Sequence, residues 1–246
     1  FGKGEKISFS PSGATEVRQA GHAFISMRAR IERHLEQRTA MLSGVSHDLR
    51  TPLTRMKLSI SLMEKDELLD DLQGDVKEME DILNEFLAFS RGDSGEEFSI
   101  VDPKKLIKTI IKERKRLNHN ISLNLDNVGS DKIKFKCKAL AISRAINNLL
   151  SNAAKHSEKT IVSVKSTSDT LSFIVEDSGK GIPKDLRQKA IRPFERLDTS
   201  RNQNKGIGAG LGLAIVSDIS RSHGGKLILS HSNDLGGLKA EIQIPL

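Results

Sequence analysis

Two long runs of regularly spaced apolar residues in the first third of the chain place the tightest limit on its fold. The first run lies within a stretch from Thr15 to about Met63, and its apolar residues recur at steps of three and four: Leu42, Val45, Leu49, Leu53, Met56, Ile60 and Met63. The second run repeats the spacing with Leu69, Leu72, Val76, Met79, Ile82 or Leu83, and Phe86. Such narrow seams are typical of amphipathic helices, and the charged segment 64–67 between them predicts a helical hairpin. Hairpins of this kind commonly pair into four-helix dimers.

The sequence changes character at residues 91–95, Arg-Gly-Asp-Ser-Gly, whose composition is that of a linker. Beyond it, helical patterns alternate with short strand patterns. The helices are expected at 103–117, 138–154 and 211–222. Strands are expected at 121–125, 132–136, 160–165 and 170–176, with a further strand pair within 224–246. We therefore predict a multi-domain chain, in which an all-α hairpin domain is followed by an α+β two-layer sandwich. The strands are joined mostly by hairpins, which argues against a doubly wound sheet.

Composition excludes several classes of protein. The longest apolar stretch, residues 209–216, contains two glycines and is too short to predict a membrane span. A single cysteine, Cys137, excludes an internal disulfide and a multi-cysteine metal site. The formal net charge of +7 invites a nucleic-acid hypothesis, but the chain has no Trp or Tyr and its basic residues are scattered among acids. We therefore predict no nucleic-acid partner.

His47 lies on the first predicted helix, at about 200° from Val45 and so on the face opposite the apolar seam. Asp48 follows directly, Thr51 comes one turn later on the same face, and Pro52 permits a local bend. A neutral imidazole is a good nucleophile, and a carboxylate beside it can hold its tautomer. A hydroxyl at this spacing can orient a water for hydrolysis. The alternative is an ordinary surface histidine.

Ten of the nineteen glycines follow residue 170, which points to a site there that needs close backbone approach. The run Gly206-Ile-Gly208-Ala-Gly210-Leu211-Gly212 leads directly into a predicted helix, an arrangement that favours phosphate binding through backbone amides. It is not a P-loop, it fails the dinucleotide-binding spacing, and the chain lacks the motifs of serine, threonine and tyrosine kinases.

A second cluster lies on the predicted helix 138–154 and just beyond it, where Asn148, Asn152, Lys155 and His156 share one face. Amide oxygens are hard ligands that suit Mg²⁺, and Lys155 suits a phosphate. Asparagine lowers helix stability, so paired asparagines are unusual in a packing role. The alternative is a solvated polar face.

A third cluster begins with Asp177, which ends a β-rich run, and continues through Gly179 and Gly181. A carboxylate there can accept a hydrogen bond from the amino group of adenine, although the same pattern fits an ordinary turn. The polar and basic segment 192–205 that follows is typical of a mobile lid over a triphosphate or of a plain surface loop.

Together these motifs resemble those of the sensor histidine kinases of bacterial two-component systems. Residues 45–53 resemble that family's phosphoacceptor box, and residues 148–156 its asparagine box. Residues 177–182 and 208–213 resemble its two glycine boxes, and Phe194-Glu195-Arg196 its phenylalanine box. The five motifs occur in the family's order and spacing. Residues 46–55 are most similar to the EnvZ-like osmosensor subfamily, and residues 13–38 resemble the last helix of a HAMP signal-relay domain.

The resemblance implies a HisKA dimerisation domain and an ATPase domain of the GHKL fold. It implies that His47 attacks the γ-phosphate of ATP, that Asp48 acts as base or orienter, and that Thr51 positions water for dephosphorylation of a response regulator. Asn152 would ligate Mg²⁺. The remaining ATP-binding residues implied are Asn148, Lys155, His156, Asp177, Gly179, Gly181, Phe194, Gly208, Gly210, Leu211 and Gly212. The phosphoryl group would then pass to an aspartate of a receiver domain.

On this basis we expect three parts: a HAMP-like segment and signalling helix at 1–36, a dimerisation and phosphotransfer domain at 37–92, and a catalytic domain at 93–246. The first residue is Phe1 rather than Met, and we expect the chain to be the cytoplasmic portion of an inner-membrane sensor, attached to the membrane through a preceding part. His156 replaces a frequent Tyr, and Ala209 a frequent Thr or Ser. Alternative hypotheses are a non-catalytic dimeric scaffold, another GHKL ATPase and a nucleic-acid binder.

Overall fold

The structure is a computed structural model and describes residues 12, 14–63, 67–91, 96–115, 120–125, 134–195 and 210–246. The chain divides into two compact units, Phe1–Gly92 and Asp93–Leu246. Each unit is described by itself below. Among the described helices, none is both long and apolar enough to cross a membrane.

The first unit is a helical hairpin made of α1 (Thr15–Ser61) and α2 (Glu67–Arg91), as the apolar periodicity predicts. Three side chains form its buried core, Leu53 and Ile60 from α1 and Val76 from α2, and Leu69 and Leu83 pack against them. Each is an apolar residue at the expected helical spacing, so burial of the seam is what holds the two helices together.

Two polar contacts join the exposed flanks of the hairpin. Lys57 Nζ lies 2.7 Å from Glu80 Oε2, and the ammonium group holds the pKa of the Glu80 carboxyl below its usual value. Arg50 Nη2 donates to Asn84 Oδ1 at 3.2 Å. Exposed pairs of this kind contribute little to stability, so the apolar core is the main bond between the two helices.

The hairpin leaves an apolar stripe uncovered, which corrects one expectation. The periodicity predicts Val45 and Leu49 as core positions, but in the single chain they are 45% and 48% exposed. The physical reason is that the seam on α1 is wider than the surface that α2 can cover, so only its Leu53–Ile60 edge is buried. The exposed members of the stripe are Val45, Leu49 and Met56 on α1, Met63 just after its end, and Leu72 and Met79 on α2.

The second unit contains the remaining helices and strands. Its helices are α3 (Pro103–Lys115), α4 (Ala139–His156), α5 (Arg187–Ala190) and α6 (Gly212–Ser222), with a 3₁₀ turn at Lys184–Leu186. Its strands are β1 (Ser99–Val101), β2 (Ile121–Asn124), β3 (Phe135–Cys137), β4 (Thr160–Ser166), β5 (Thr170–Asp177), β6 (Lys226–His231) and β7 (Leu238–Pro245). The start of α3 is set locally, because Asp102 Oδ1 accepts hydrogen bonds from the amides of Lys104 and Lys105.

The main sheet has five strands in the order β2-β4-β5-β7-β6. The two predicted hairpins, β4–β5 and β6–β7, are both present and antiparallel, and β5 also pairs with β7 antiparallel. The sheet is mixed, however, because β2 pairs with β4 in parallel. Local sequence patterns could not show this pairing, since β3 and α4 separate the two strands along the chain. A separate two-stranded sheet joins β1 to β3.

The core of the second unit lies between the sheet and the helices that cover it. On β5, Leu171 to Asp177 are all buried, as expected for the middle strand of the sheet. On β7, buried and partly exposed side chains alternate with the period of two of a strand with one covered face. The packing brings the end of α4 to the turn after β5, where the sequence predicts a nucleotide site.

Candidate nucleotide-binding and phosphoacceptor sites

Helix α4 presents two chemically different faces. One face is apolar and buried: Ala141, Ile142, Ala145, Ile146, Leu149, Leu150 and Ala153. On the other, Asn148 and Asn152 are half-buried, while Lys155 and His156 in the last turn are exposed. The burial pattern therefore orients the predicted polar cluster away from the core, as the sequence predicts.

The two adjacent asparagines of α4 have different roles. Asn147 is fully used within the fold: its Oδ1 accepts from Arg114 Nε at 2.8 Å, and its Nδ2 donates to Ser143 O at 3.0 Å. Asn147 thereby ties α3 to α4. By contrast, Nδ2 of Asn148 is buried and has no hydrogen-bond partner among the described residues. A buried amide group without a partner is costly to the fold, so a ligand that accepts its hydrogen bond would offset that cost.

Asp177, the last residue of β5, is buried, and its carboxylate is held by the backbone. Oδ1 accepts hydrogen bonds from the amides of Gly179 at 2.9 Å and Leu238 at 3.1 Å. Oδ2 has no hydrogen-bond partner within the described residues. The side chain is thus fixed in direction and retains one oxygen for a ligand donor.

Glycines let three backbone segments approach one another around Asp177. A Cβ at Gly179 would lie 2.7 Å from the carbonyl oxygen of His156, and a Cβ at Gly237 would lie 2.3 Å from the carbonyl oxygen of Asp177. Gly181 has a φ of 68°, a conformation that favours glycine. The end of β5, the end of α4 and the turn before β7 therefore meet at distances that side chains would prevent.

An open cleft of about 710 Å³ lies beside this junction and is lined by residues 154–158 and 178–180. Three of the predicted ATP-binding residues, Lys155, His156 and Gly179, are among them. The structure thus brings Lys155 and His156 of the asparagine cluster next to Gly179 of the Asp177 cluster, more than twenty residues later in the sequence. Asn148, Asn152 and Asp177 are not among the residues that line the cleft.

The expected phosphate end of the site is described in part. Leu211 is fully buried at the start of α6, and Gly212 is the first residue of that helix. Gly210 has a φ of 70°, and its carbonyl oxygen accepts a hydrogen bond from the amide of Phe194 at 3.1 Å. This contact joins the predicted phenylalanine box to the second glycine box. Gly208 and segment 196–205 lie outside the described residues.

The predicted phosphoacceptor lies in the other unit. His47 is within α1, but its side chain is outside the part of the chain that the structure describes. Asp48 and Thr51 are exposed, and α1 continues through Pro52 to Ser61. Asp48 and Thr51, to which the family resemblance gives roles beside His47, are therefore accessible to solvent.

One part of the site was not assigned from sequence. Ser232 is buried and its hydroxyl donates to Glu176 Oε1 at 3.0 Å, while the amide of Leu235 donates to the Ser232 hydroxyl at 3.1 Å. These bonds shape the β6–β7 turn so that Gly237 and Leu238 reach Asp177. The sequence signal was the glycine pair 236–237, which has no obvious partner until the strands are paired.

Comparison with known families agrees with this arrangement. Residues 37–95 match the His Kinase A (phospho-acceptor) domain, and residues 137–246 match the histidine kinase-, DNA gyrase B- and HSP90-like ATPase family. Together the two matches cover more than half of the chain. The chain therefore belongs to the histidine kinases that combine these two domains.

Individual relatives support the same family. The chain is 32% identical to the sensor histidine kinase GtrS of Pseudomonas aeruginosa over 95% of its own length and 47% of GtrS. It is 28% identical to the sensor histidine kinase CpxA of Escherichia coli over 96% of its length and 53% of CpxA. It thus spans about half the length of these curated relatives. Full-length ShkA, crystallised with AMPPNP, shares the fold with a TM-score of 0.65 at 22% identity, over 83% of this chain and 45% of ShkA.

The glycine at position 237 gives a direct test of the site's geometry. Gly237→Ala would place a methyl group 2.4 Å from Asp177 Oδ1 and 2.6 Å from the amide of Gly179. We expect the melting temperature of the ATPase unit to fall by at least about 4 °C. Gly212→Ala is the matched control, because a Cβ there meets no atom within 4 Å. Equal melting temperatures for the two variants would contradict the described approach of the β6–β7 turn to Asp177.

Proposed function

We propose that this chain is the kinase core of a sensor protein, which autophosphorylates His47 from ATP and transfers the phosphoryl group to an aspartate of a response regulator. The observation that carries the nucleotide part is the half-used carboxylate of Asp177, whose neighbour Gly179 lines one cleft together with Lys155 and His156. The unpartnered amide of Asn148, on the same helix as Lys155, is a further group that a ligand can use. One group suits the phosphates and the other suits a base.

Adenine recognition is assigned to Asp177. Oδ1 is already held by two amides, so the carboxylate cannot turn away, and Oδ2 is available to accept from the exocyclic amino group of adenine. Gly179 and Gly181 let neighbouring backbone pack closely around this carboxylate, since side chains there would meet that backbone. A rigid acceptor selects an amino group over a carbonyl at that position of the base.

Phosphate and Mg²⁺ binding are assigned to the polar face of α4 and the start of α6. Asn152 would ligate the metal ion through its amide oxygen, while Asn148 and Lys155 would contact phosphate oxygens. His156, Phe194, Gly208, Gly210, Leu211 and Gly212 would complete the enclosure. When bound, Mg²⁺ neutralises part of the negative charge on the phosphates. The backbone amides at the start of α6 supply further positive potential.

Phosphoryl transfer is assigned to His47. A ring nitrogen of its neutral imidazole attacks the γ-phosphorus, a nitrogen–phosphorus bond forms, and the bond from that phosphorus to the β–γ bridging oxygen breaks so that ADP leaves. Asp48 accepts the proton from the other ring nitrogen or holds it in place. The resulting phosphoramidate then gives its phosphoryl group to a receiver aspartate.

Replacement of His47 tests the kinase assignment. His47→Ala is expected to abolish labelling by γ-labelled ATP, because no acceptor nitrogen remains, and to leave the affinity for ATP within about twofold. In the unmodified chain, label lost in acid but retained in base would identify phosphohistidine. His22→Ala, an exposed histidine on the same helix, is the control and should label normally. Residual autophosphorylation in His47→Ala would refute the assignment, and nucleotide binding without any label would favour the scaffold alternative.

Thr51 is assigned to the reverse reaction, hydrolysis of the phosphorylated regulator. Its exposed hydroxyl follows His47 by one helical turn and would orient the attacking water. Thr51→Ala is expected to keep the autophosphorylation rate within about threefold and to slow regulator dephosphorylation at least about tenfold. Thr54→Ala serves as the control, since the Thr54 hydroxyl donates to the carbonyl oxygen of Arg50. Equal loss of both activities in Thr51→Ala would count against this division of roles.

We also propose that the hairpin forms a homodimer through its uncovered apolar stripe. Val45, Leu49 and Met56 on α1 and Leu72 and Met79 on α2 are each about half exposed in the single chain. A second copy of the hairpin would bury these side chains in a four-helix bundle. Leu49 and Met56 lie seven residues apart, as do Leu72 and Met79, and this is the spacing of helices that pack along their length.

Charge placed on the stripe tests the dimer. Met56→Glu is expected to weaken dimerisation at least about 100-fold, because two apolar side chains are lost from the interface and two carboxylates enter it. Light scattering after size-exclusion chromatography would then show a monomer. Leu58→Glu is the matched control, since Leu58 is exposed on the opposite side of α1. A Met56→Glu dimer as tight as the unmodified one would place the interface elsewhere.

The domain bounds and the cellular location are proposals of the same kind. We assign a HAMP-like segment and signalling helix to residues 1–36, the phosphotransfer domain to 37–92 and the catalytic domain to 93–246. The curated relatives are sensor proteins about twice as long as this chain, which supports a cytoplasmic portion joined to a membrane sensor part.

A further inference from the structure

Residues 96–98, which lead into the ATPase unit, contact the N-terminus of helix α4 through Glu96. Lys138, the residue before α4, provides no side-chain cap for that helix. Glu96 supplies the cap instead, although it lies more than forty residues earlier: Oε1 accepts from the amide of Leu140 at 2.7 Å and Oε2 from the amide of Ala141 at 3.0 Å. A carboxylate is favourable there because the amide dipoles of a helix direct positive potential to its N-terminus.

A second contact holds the same segment to the end of α6. The ring of Phe98 meets the ring of His223 edge-on, with centroids 5.4 Å apart. His223 in turn accepts at Nε2 from the amide of Lys138 at 3.0 Å and hydrogen-bonds at Nδ1 with Ile219 O at 2.7 Å. Residues 96–98 are thus joined to the start of α4 and to the end of α6, the two helices that carry the proposed phosphate site.

The position of this attachment sets how many residues separate the hairpin from the first contact with the ATPase unit. Helix α2 ends at Arg91, so four residues separate it from Glu96. Five Cα–Cα steps reach at most about 18 Å. If the Glu96 cap were lost, the next attachments would be Phe98 and the pairing of Ser99 with Cys137, and the connection would lengthen by two or three residues.

We propose that Glu96 is a positioning residue for phosphoryl transfer: its cap on α4 fixes where the ATPase unit is attached to the hairpin and so raises the rate of transfer to His47 without contributing to ATP binding. The inference rests on the proposed kinase function. Lengthening a short tether lowers the effective concentration of one tethered group at the other by roughly the −3/2 power of its length, and freer orientation lowers it further. Asn148 and Asn152 lie beyond the capped turn of α4, so the nucleotide contacts themselves do not involve Glu96.

The test compares the autophosphorylation kinetics of variants of the full chain. Glu96→Ala is expected to lower kcat at least about threefold and to leave the KM for ATP within about 1.5-fold. Faster hydrogen exchange at the amides of Leu140 and Ala141 would show that the cap has been lost. Glu97→Ala is the matched control, because it removes the same charge from an exposed neighbour and should behave as the unmodified chain.

A second variant separates tether length from local stability. Three glycines inserted after Gly95 lengthen the connection but leave Glu96 able to cap α4, and this insertion should lower kcat to a similar extent with exchange at Leu140 and Ala141 unchanged. An unchanged kcat in Glu96→Ala overturns the proposal. So does a raised KM for ATP in that variant, or an insertion without effect, since either makes the cap a local folding element only. Absence of label in the unmodified chain would instead refute the kinase function itself.

Discussion

The burial of one face of α4 is the constraint on which the ATPase unit depends. Seven apolar side chains of this helix are buried. Burial on this scale fixes the rotation of the helix about its axis, because any rotation would expose apolar surface and bury the side-chain amides of the asparagines. The fixed rotation directs Asn148 and Asn152 away from the core and leaves the last turn at the Asp177 junction. At the opposite end, the same helix offers Glu96 two amides with no partner in the helix itself. One packed helix thus positions both the nucleotide groups and the attachment of the incoming chain.

Two backbone amides both stabilise the buried carboxylate of Asp177 and fix its orientation for a ligand. An isolated carboxylate at such a depth is unfavourable, yet two backbone amides that point at Oδ1 offset much of that cost. The amides come from two different turns, and both turns can approach only because Gly179 and Gly237 lack side chains. The carboxylate is therefore held in place before any nucleotide binds, so little conformational freedom remains to be lost on binding.

The division into two units matches a division of chemistry. His47, the proposed acceptor, lies on a hairpin with a small buried core, and the groups assigned to ATP lie on a sheet-backed unit with a larger core. Phosphoryl transfer in such a chain depends on the encounter of the two units as much as on either site. The attachment at Glu96 and the apolar stripe on α1 and α2 are both proposed to affect that encounter. A rigid nucleotide site gains nothing in transfer rate unless the connection brings it to the acceptor often enough.

Sequence alone determined the two long helices, both strand hairpins and the polar face of α4, because each depends on side-chain periodicity or on residues close together along the chain. It also predicted the site chemistry, through the resemblance of five short motifs to one family. Only the tertiary structure decided the parallel pairing of β2 with β4, the exposure of Val45 and Leu49, the separate roles of Asn147 and Asn148, and the cap from Glu96. These features depend on which surfaces meet between residues more than twenty positions apart, and local sequence patterns do not record the packing free energies that decide this.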